Sequence, residues 1–492
     1  MKDLIQYISE YKNTNPDLVF LKTSRGNLTY KDIFIQVNNL SNNLYQNKQK
    51  QRYIGLLIDD SPEFIISYLA IQRISDIAIL FSPHTDTKIL QQKIKSFKLS
   101  KIIYDEKYRA VVENSETKAQ KIVVSNPENE EICLDGLIKP SLDYKYKIPF
   151  INIDQPSIVL FTSGTNGNPK NILFSHRSII TNAIACQSIT ENKKYLNYMS
   201  FPDFSDFISQ ILTLCSAICS KGSITIPEDK TTGTILETIK QKNVNVFVSV
   251  PKNLHKIINH KKHTIINNLE YTLSLGSQLE EEFIDLWENK YCSSLLQGYG
   301  LAETLIVSFN KRNDETKPGT IGKPISICDM KIFNTSKIEM PTGRIGELHI
   351  KSKSNLISYF NSEKNKKCKD KWIPTGDLAR KDHEGYFHYI DKKMNIIHRF
   401  GFTVFPEEIE KIMLKHPDIE NIHVMKMLGE KDDNIKFCIV PTKNTKPNQA
   451  EIKEYARKNL PQFLQPEFIE FYKKFPENYL GKILRNKFIH SH

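Results

Sequence analysis

The segment Phe161-Thr-Ser-Gly-Thr-Asn-Gly-Asn-Pro-Lys170 packs hydroxyls, glycines and a cation into one turn. That mixture suits a phosphate. Glycines let backbone N–H groups approach oxygens closely, the hydroxyls of Thr162, Ser163 and Thr165 donate further hydrogen bonds, and Lys170 supplies charge. It is not a Walker A loop: counting from Gly164, that motif needs Gly at 169 and Ser or Thr at 171, where this chain has Pro169 and Asn171. In isolation the segment reads more readily as a surface turn. Its weight comes from the segments that follow it.

These are Ser274-Leu-Gly-Ser-Gln-Leu279, Gln297-Gly-Tyr-Gly-Leu-Ala-Glu303, Trp372-Ile-Pro-Thr-Gly-Asp377 and Gly481-Lys482-Ile-Leu-Arg485. Together, and in this order, they resemble the motifs of the adenylate-forming superfamily: acyl-CoA synthetases, aryl acid ligases, amino-acid adenylation domains and luciferases. The family's phosphate loop, T-S-G-T-T-G-x-P-K-G, is matched at Thr162 to Thr165, Gly167, Pro169 and Lys170, with Asn166 and Asn171 departing. The resemblance spans roughly Leu28 to Arg485, nearly the whole chain.

The resemblance implies a role for each matching position. Thr162, Ser163, Gly164, Thr165, Gly167 and Lys170 would hold the phosphates of ATP. Gly276 would let the backbone approach the adenine, and Tyr299 would lie against it. Glu303 would hold Mg²⁺, an ion that often takes only one or two protein carboxylates and fills its other positions with phosphate and water. Asp377 would accept both ribose hydroxyls. Lys392 stands where the family has a ribose-contacting Arg and is a less directional donor. Lys482 would reach between the substrate carboxylate and the α-phosphate, making Lys482, Glu303 and Thr162 the catalytic set. Gly298 and Ala302 would border the acid pocket, and Gly401 would line the thiol tunnel. Ala302 replaces a family Thr that contacts the α-phosphate, a change shared by some acyl-AMP ligases that load carrier proteins.

The implied reaction is ATP plus a carboxylic acid to acyl-AMP and pyrophosphate, then acyl transfer to a thiol, either coenzyme A or the phosphopantetheine of an acyl or peptidyl carrier protein. No side-chain nucleophile is required. Ser200-Phe-Pro-Asp-Phe-Ser-Asp206 resembles the P-x-F-H stretch of acyl-CoA synthetases, with Phe204 and Ser205 lining the pocket and Ser205 in the His position. It also reads as the D-x-S of amino-acid adenylation domains, where Asp203 would bind an ammonium, but Gly222 lies too far downstream for that alignment. A fatty or aryl acid is the expectation, with a stand-alone amino-acid adenylation enzyme as one alternative. A non-catalytic nucleotide-binding scaffold is another, motivated by Asn166, Asn171, Ala302, Lys392 and an altered hinge. Retention of Thr162, Lys170, Glu303, Asp377 and Lys482 weighs against it.

The elements that must position these residues follow a layered pattern. From residue 50 to about 360, runs such as Tyr53 to Asp59, Ser157 to Phe161 and Val244 to Val250 read as strands, and Ser61 to Arg73 and Ile235 to Lys242 as helices. This predicts an α/β body of helix-covered sheets. After Tyr386 a smaller pattern follows: helix 406–415, strands 421–427 and 436–440, helix 449–459 and strand 467–472. The expected organisation is an adenylate-forming domain over 1–393, holding the ATP and acid sites, and a small mobile α+β cap over 394–492, carrying Lys482. The hinge segment Asp391-Lys-Lys-Met-Asn395 departs most from the family, with Met394 and Asn395 at the polar pivot.

The 492 residues exceed a binding module and, at about 150 per domain, allow several units. Hydrophobic residues at 39% and charged residues at 25% exclude a disordered or fibrous chain. The net charge of +12 suits anionic ligands, but lysines are scattered without interleaved aromatics, so no nucleic-acid partner is expected. The eight cysteines form no C-x-x-C pair, so reduced thiols and no structural metal are expected. The amino-terminal residues lack the apolar core of a secretory signal, and the apolar stretch from Phe207 to Cys219 is too short to span a membrane, so a cytoplasmic protein without integral membrane association is expected.

Overall fold

The computed structural model describes residues 1–45, 50–139, 150–161, 170–261, 264–312, 316–360, 371–427, 429, 432–481, 483–484 and 488. Thr162 to Pro169, Lys482 and Arg485 lie outside the described residues. By packing the chain forms two units. The body comprises Met1–Asp329, Lys351–Lys371 and Tyr479–Gly481, and the second unit comprises Met330–Ile350, Trp372–Asn478 and Lys482–His492.

Among the described residues the body holds an eight-stranded and a nine-stranded sheet. At the centre of the first, Tyr53–Leu57 pairs in parallel with Ile77–Leu80 and Leu99–Tyr104. These strands are buried along most of their length, and central parallel strands of this kind require cover on both faces. Gly55 marks how closely that cover approaches, since a Cβ there would sit 2.9 Å from the Phe81 ring. The helix Pro62–Arg73 begins where Ser61 caps the Phe64 N–H and proline occupies the first turn, a sharp start that returns the chain over the sheet.

In the nine-stranded sheet, Asn197–Ser200, Val246–Ser249, Tyr271–Ser274 and Ser294–Leu301 run parallel as consecutive neighbours. Register aligns Ser249 with Ser274 and Ser274 with Gln297, so the carboxyl ends of these strands form one edge. Behind them Phe247, Leu254 and Trp287 share a core cluster, and the buried Trp287 Nε1 donates to Thr272 Oγ1 at 3.1 Å. Helix Thr232–Gln241 covers this sheet and starts earlier than expected, because Thr231 caps the Thr234 N–H.

The stretch from Phe207 to Cys219 is helical but not uniformly α: Gln210–Cys215 is a π-helix between short α-helical pieces. No helix among the described residues is long and apolar enough to cross a membrane.

The second unit contains the antiparallel hairpin Ile373–Lys381 with Phe387–Lys392. Its turn is closed by Asp382 Oδ1, which accepts from the N–H groups of Glu384 and Tyr386, with Gly385 at φ +88°. A 3₁₀ turn over Lys393–Asn395 leads to the hairpin Ile397–Arg399 with Phe402–Val404. Helices Pro406–Met413 and Gln449–Asn459 then accompany a sheet of Ile419–Met427, Asn434–Pro441 and Phe468–Phe471. Ile409, Val424, Phe437 and Ile452 form the core of this α+β layer. The division by packing thus does not coincide with the 393/394 boundary expected from sequence: the Ile373–Lys392 hairpin and Met330–Ile350 pack with the second unit, and 393/394 falls inside it, on the 3₁₀ turn.

Candidate active site

In parallel sheets, ligands collect beyond the carboxyl ends of the strands, where successive loops diverge. In the body that edge carries most of the described candidates. Asn197–Ser200 feeds the Pro202 to Asp206 loop, Tyr271–Ser274 feeds Gly276, and Ser294–Leu301 carries Gly298 and Tyr299. Gly276 adopts φ +101°, and a Cβ there would meet only Val250 Cγ1 at 3.8 Å, so its backbone is open to a close approach. Nearby in register, Ser274 Oγ is buried without a hydrogen-bond partner among the described residues, an orphan that a ligand can satisfy. Gly298 has a packing reason to be glycine, because a Cβ would lie 2.6 Å from Cζ of the Phe309 ring on the antiparallel neighbour.

Glu303 follows Ala302 in the turn after Leu301, held where its carbonyl accepts from Leu356 N–H at 3.2 Å. Its carboxylate is largely shielded and lies 3.9 Å from Lys170 Nζ, the first described residue after the glycine-rich segment. That distance is an ion pair but longer than a hydrogen bond, so Lys170 does not occupy the carboxylate's lone pairs. The phosphate-loop cation and the metal candidate, 133 positions apart in the chain, are therefore brought together. A partly shielded carboxylate beside a cation fits one Mg²⁺ shared with phosphate oxygens.

In the second unit Asp377 and Lys392 face each other across the hairpin in direct register. Asp377 is only 2% exposed, and Lys392 Nζ lies 2.5 Å from Asp377 Oδ1. A buried carboxylate needs such a counter-ion. The pair couples the two residues expected to share a ribose, with Lys392 contacting a single oxygen. Gly401, expected at the thiol tunnel, adopts φ +79° beside the Arg399/Phe402 end of its hairpin, and a Cβ there would meet nothing within 4 Å.

The acid loop contains what sequence reasoning missed. Asp203 lies 2.8 Å from His84 Nε2 and also contacts Lys230 Nζ. Lys230 in turn reaches Asp60 at 2.8 Å, and Asp60 Oδ1 accepts from Phe204 N–H at 2.7 Å. Burial pushes Asp203 upward, but the His84 hydrogen bond and the charges of Lys230 and His84 outweigh it and hold the carboxyl at about 2. Burial raises Asp60 to about 6 against the pull of Lys230, with the Asp203 anion adding to the rise. Burial likewise raises Asp206 to about 6, although the Ile208 N–H donates to it. Phe204 is buried with its ring 5.8 Å from that of Phe64, and Ser205 Oγ is buried without a hydrogen-bond partner among the described residues. No local motif marks His84, Asp60 or Lys230, since each joins the cluster from a separate segment.

Residues 8–360 match the family model described as AMP-binding enzyme, and residues 408–482 match the AMP-binding enzyme C-terminal domain. The chain is 24% identical to a long-chain-fatty-acid–CoA ligase of Bacillus subtilis (strain 168), covering 96% of this chain and 92% of that one. It is also 24% identical to a crotonobetaine/carnitine–CoA ligase of Escherichia coli O157:H7, over 93% and 92% of the two chains. Its fold superposes on the crystal structure of an anthranilate CoA ligase in complex with anthranoyl-AMP with a TM-score of 0.88 at 19% identity, covering 99% and 96% of the respective chains.

Proposed function

The chain belongs to the AMP-binding enzyme family, and from that premise we propose that it joins a fatty or aryl acid to coenzyme A through an acyl-adenylate. The observation that carries this reading is the meeting of Lys170 with Glu303 at the carboxyl edge of the parallel sheet. In the first step a carboxylate oxygen attacks the α-phosphorus of ATP and the bond to pyrophosphate breaks. In the second, the thiol sulfur attacks the acyl carbon, its proton passes to solvent, and AMP leaves.

The protein's contribution is to place two anions against each other and to balance charge as pyrophosphate departs. Lys170 and the Thr162 to Gly167 segment hold the phosphates, with Thr162 at the reacting end. Glu303 would hold Mg²⁺, which supplies charge neutralisation on the phosphates when bound. Gly276 and Tyr299 accommodate the adenine, and Asp377 with Lys392 binds the ribose. Ala302 offers no hydroxyl to the α-phosphate, which leaves more of that task to Lys482.

The functional division is placed between 393 and 394. Lys482 on the 394–492 cap serves adenylation, and Gly401 faces the thiol in the transfer step. Coenzyme A is the acceptor favoured here, with a carrier-protein phosphopantetheine as the second candidate. The free cysteines among the described residues suit a reducing compartment, and we place the enzyme in the cytoplasm.

The pairing of Asp203 with His84 and Lys230 supports an acid without an amino group, because the carboxylate that would bind an ammonium already carries two cationic partners. The test is pyrophosphate release with ATP and Mg²⁺ over a panel of decanoate, hexadecanoate, benzoate and phenylalanine, each with and without coenzyme A. Turnover of decanoate, hexadecanoate or benzoate, completed only with coenzyme A, is expected. Turnover of phenylalanine alone would overturn the acid assignment.

A further inference from the structure

Tyr479 and Gly481 stand three and one positions before Lys482, and both pack as part of the body, whereas Asn478 immediately before them packs with the second unit. Their contacts in the body are specific. The Tyr479 ring stacks on His84, with centroids 4.4 Å apart and planes inclined by 18°. Its hydroxyl donates to Asp206 Oδ2 at 3.4 Å. Gly481 adopts φ +87°, and a Cβ there would lie 2.6 Å from Lys252 Cβ, so this position tolerates only glycine in the observed packing.

The surface that receives Tyr479 is built from behind. His84 is oriented by Asp203 at 2.8 Å, and Asp203 also contacts Lys230, which is anchored on Asp60. Asp206 is fixed through its second oxygen, which accepts from Ile208 N–H at 2.8 Å. Asp203 and Asp206 bracket Phe204 and Ser205, the two residues assigned to the acid pocket. The stacking face and the hydrogen-bond acceptor for Tyr479 thus hang on the same short loop that borders the acid.

We propose that Tyr479 is a positioning residue that seats the chain leading into Lys482 on the Asp203 to Asp206 loop for adenylation, making lysine placement sensitive to the state of the acid loop. The proposal rests on the reading of Lys482 given above. It assigns Tyr479 no contact with ATP or acid. Its loss therefore lowers the rate of the adenylation step and spares both nucleotide affinity and the thiol step. A residue that merely supports the fold would affect all three.

The test separates the half-reactions with decanoate and benzoate as probes. Adenylation is read as ATP–pyrophosphate exchange, and transfer as thioester formation from supplied decanoyl-AMP or benzoyl-AMP and coenzyme A. For Tyr479→Ala, kcat for exchange should fall by about tenfold or more, while KM for ATP and the transfer rate stay within about twofold. Tyr479→Phe keeps the stacking face and should recover most of the exchange rate. Should Tyr479→Ala not fold, Gly481→Ala, which adds one methyl at a strained position, carries the same expectation. Equal loss in both half-reactions, or undiminished exchange in the variants, would overturn the proposal. Transfer by the wild type without exchange for either probe would instead remove the assigned adenylation reading, and the proposal with it.

Discussion

The Asp377–Lys392 pair and the cluster around Asp203 both bury charge, in different proportions. The first sets one carboxylate against one cation, facing each other across a hairpin. The second sets Asp60, Asp203 and Asp206 against Lys230 and His84, drawn from separate segments. A balanced pair needs no proton on its carboxylate to be buried. A surplus of buried carboxylates resolves differently: Asp203 takes the cations and stays ionised, while Asp60 and Asp206 are pushed toward neutrality near pH 6. On the proposed roles, the ribose-side pair sets one carboxylate against one cation, whereas the acid-side cluster shares two cations among three carboxylates and acts as a support.

Removing the cation that the acid-side cluster shares is the strongest way to break this contrast. Lys230→Met leaves Asp60 and Asp203 without their common partner, and loss of one member of a buried ion pair costs about 3–5 kcal/mol. The denaturation midpoint should drop accordingly. A variant as stable as wild type would show that water, and not Lys230, balances these acids.

The surplus of carboxylates also predicts a pH dependence. Asp206 has a folded value of about 6, raised chiefly by burial from the ordinary 3.8, so the folded state holds its proton more tightly. The stability this lends is full below about pH 4 and is lost as pH rises to about 6, amounting to about 3 kcal/mol at 1.36 kcal/mol per unit. Asp60 contributes with the same sign, whereas Asp203, held low, contributes stability that is lost only on further acidification. His84, raised mainly by its hydrogen bond to Asp203, adds stability below about pH 6.5 that fades above it. Unfolding free energies measured from pH 4 to 7 should show a shallower decline in Asp206→Asn. An unchanged slope would place the titration elsewhere.

The balanced pair makes a kinetic prediction. Asp377→Ala should raise KM for ATP by about 10- to 150-fold, the worth of about 1.5–3 kcal/mol for hydrogen bonds to a charged group, and should change kcat much less, because ribose contacts are made equally in ground and transition states. An unaltered KM would reduce Asp377 to a structural partner of Lys392.

Lys392→Arg tests the same pair more finely. A guanidinium presents several N–H donors in a fixed fork, so one can hold the carboxylate while another meets the ribose, and KM for ATP should fall by about two- to threefold. A rise in KM would mean that the shorter, mobile cation is needed to make way for the ribose.

Local order was legible wherever burial is periodic in the chain. The helix Gln449–Asn459 has the expected bounds because Asn448 and Glu451 form a capping box at its start. Pro156–Phe161 and Tyr53–Leu57 were legible as apolar runs too short for helices. The π-helix at Gln210–Cys215 was not, since nothing in its apolar composition distinguishes five residues per hydrogen-bonded turn from four. Gly298 was legible as a glycine, but its packing reason, the Phe309 ring on the neighbouring strand, belongs to pairing across the sheet.

The sequence by itself determined the family and the reaction class, because the resemblance is carried by contiguous motifs whose residue types suit phosphate, ribose and metal chemistry. The tertiary structure alone decided which charges are spent. The ammonium role for Asp203 was set aside in the sequence only on the distance to Gly222, whereas the fold brings His84 and Lys230 to it, and Tyr479, which carries no sequence signal, stacks on His84. The physical reason is that a side chain's charge state and availability depend on what is packed within a few ångströms of it. Those neighbours come from segments as far as 273 positions away, as Tyr479 is from Asp206, and carry no mark of their destination.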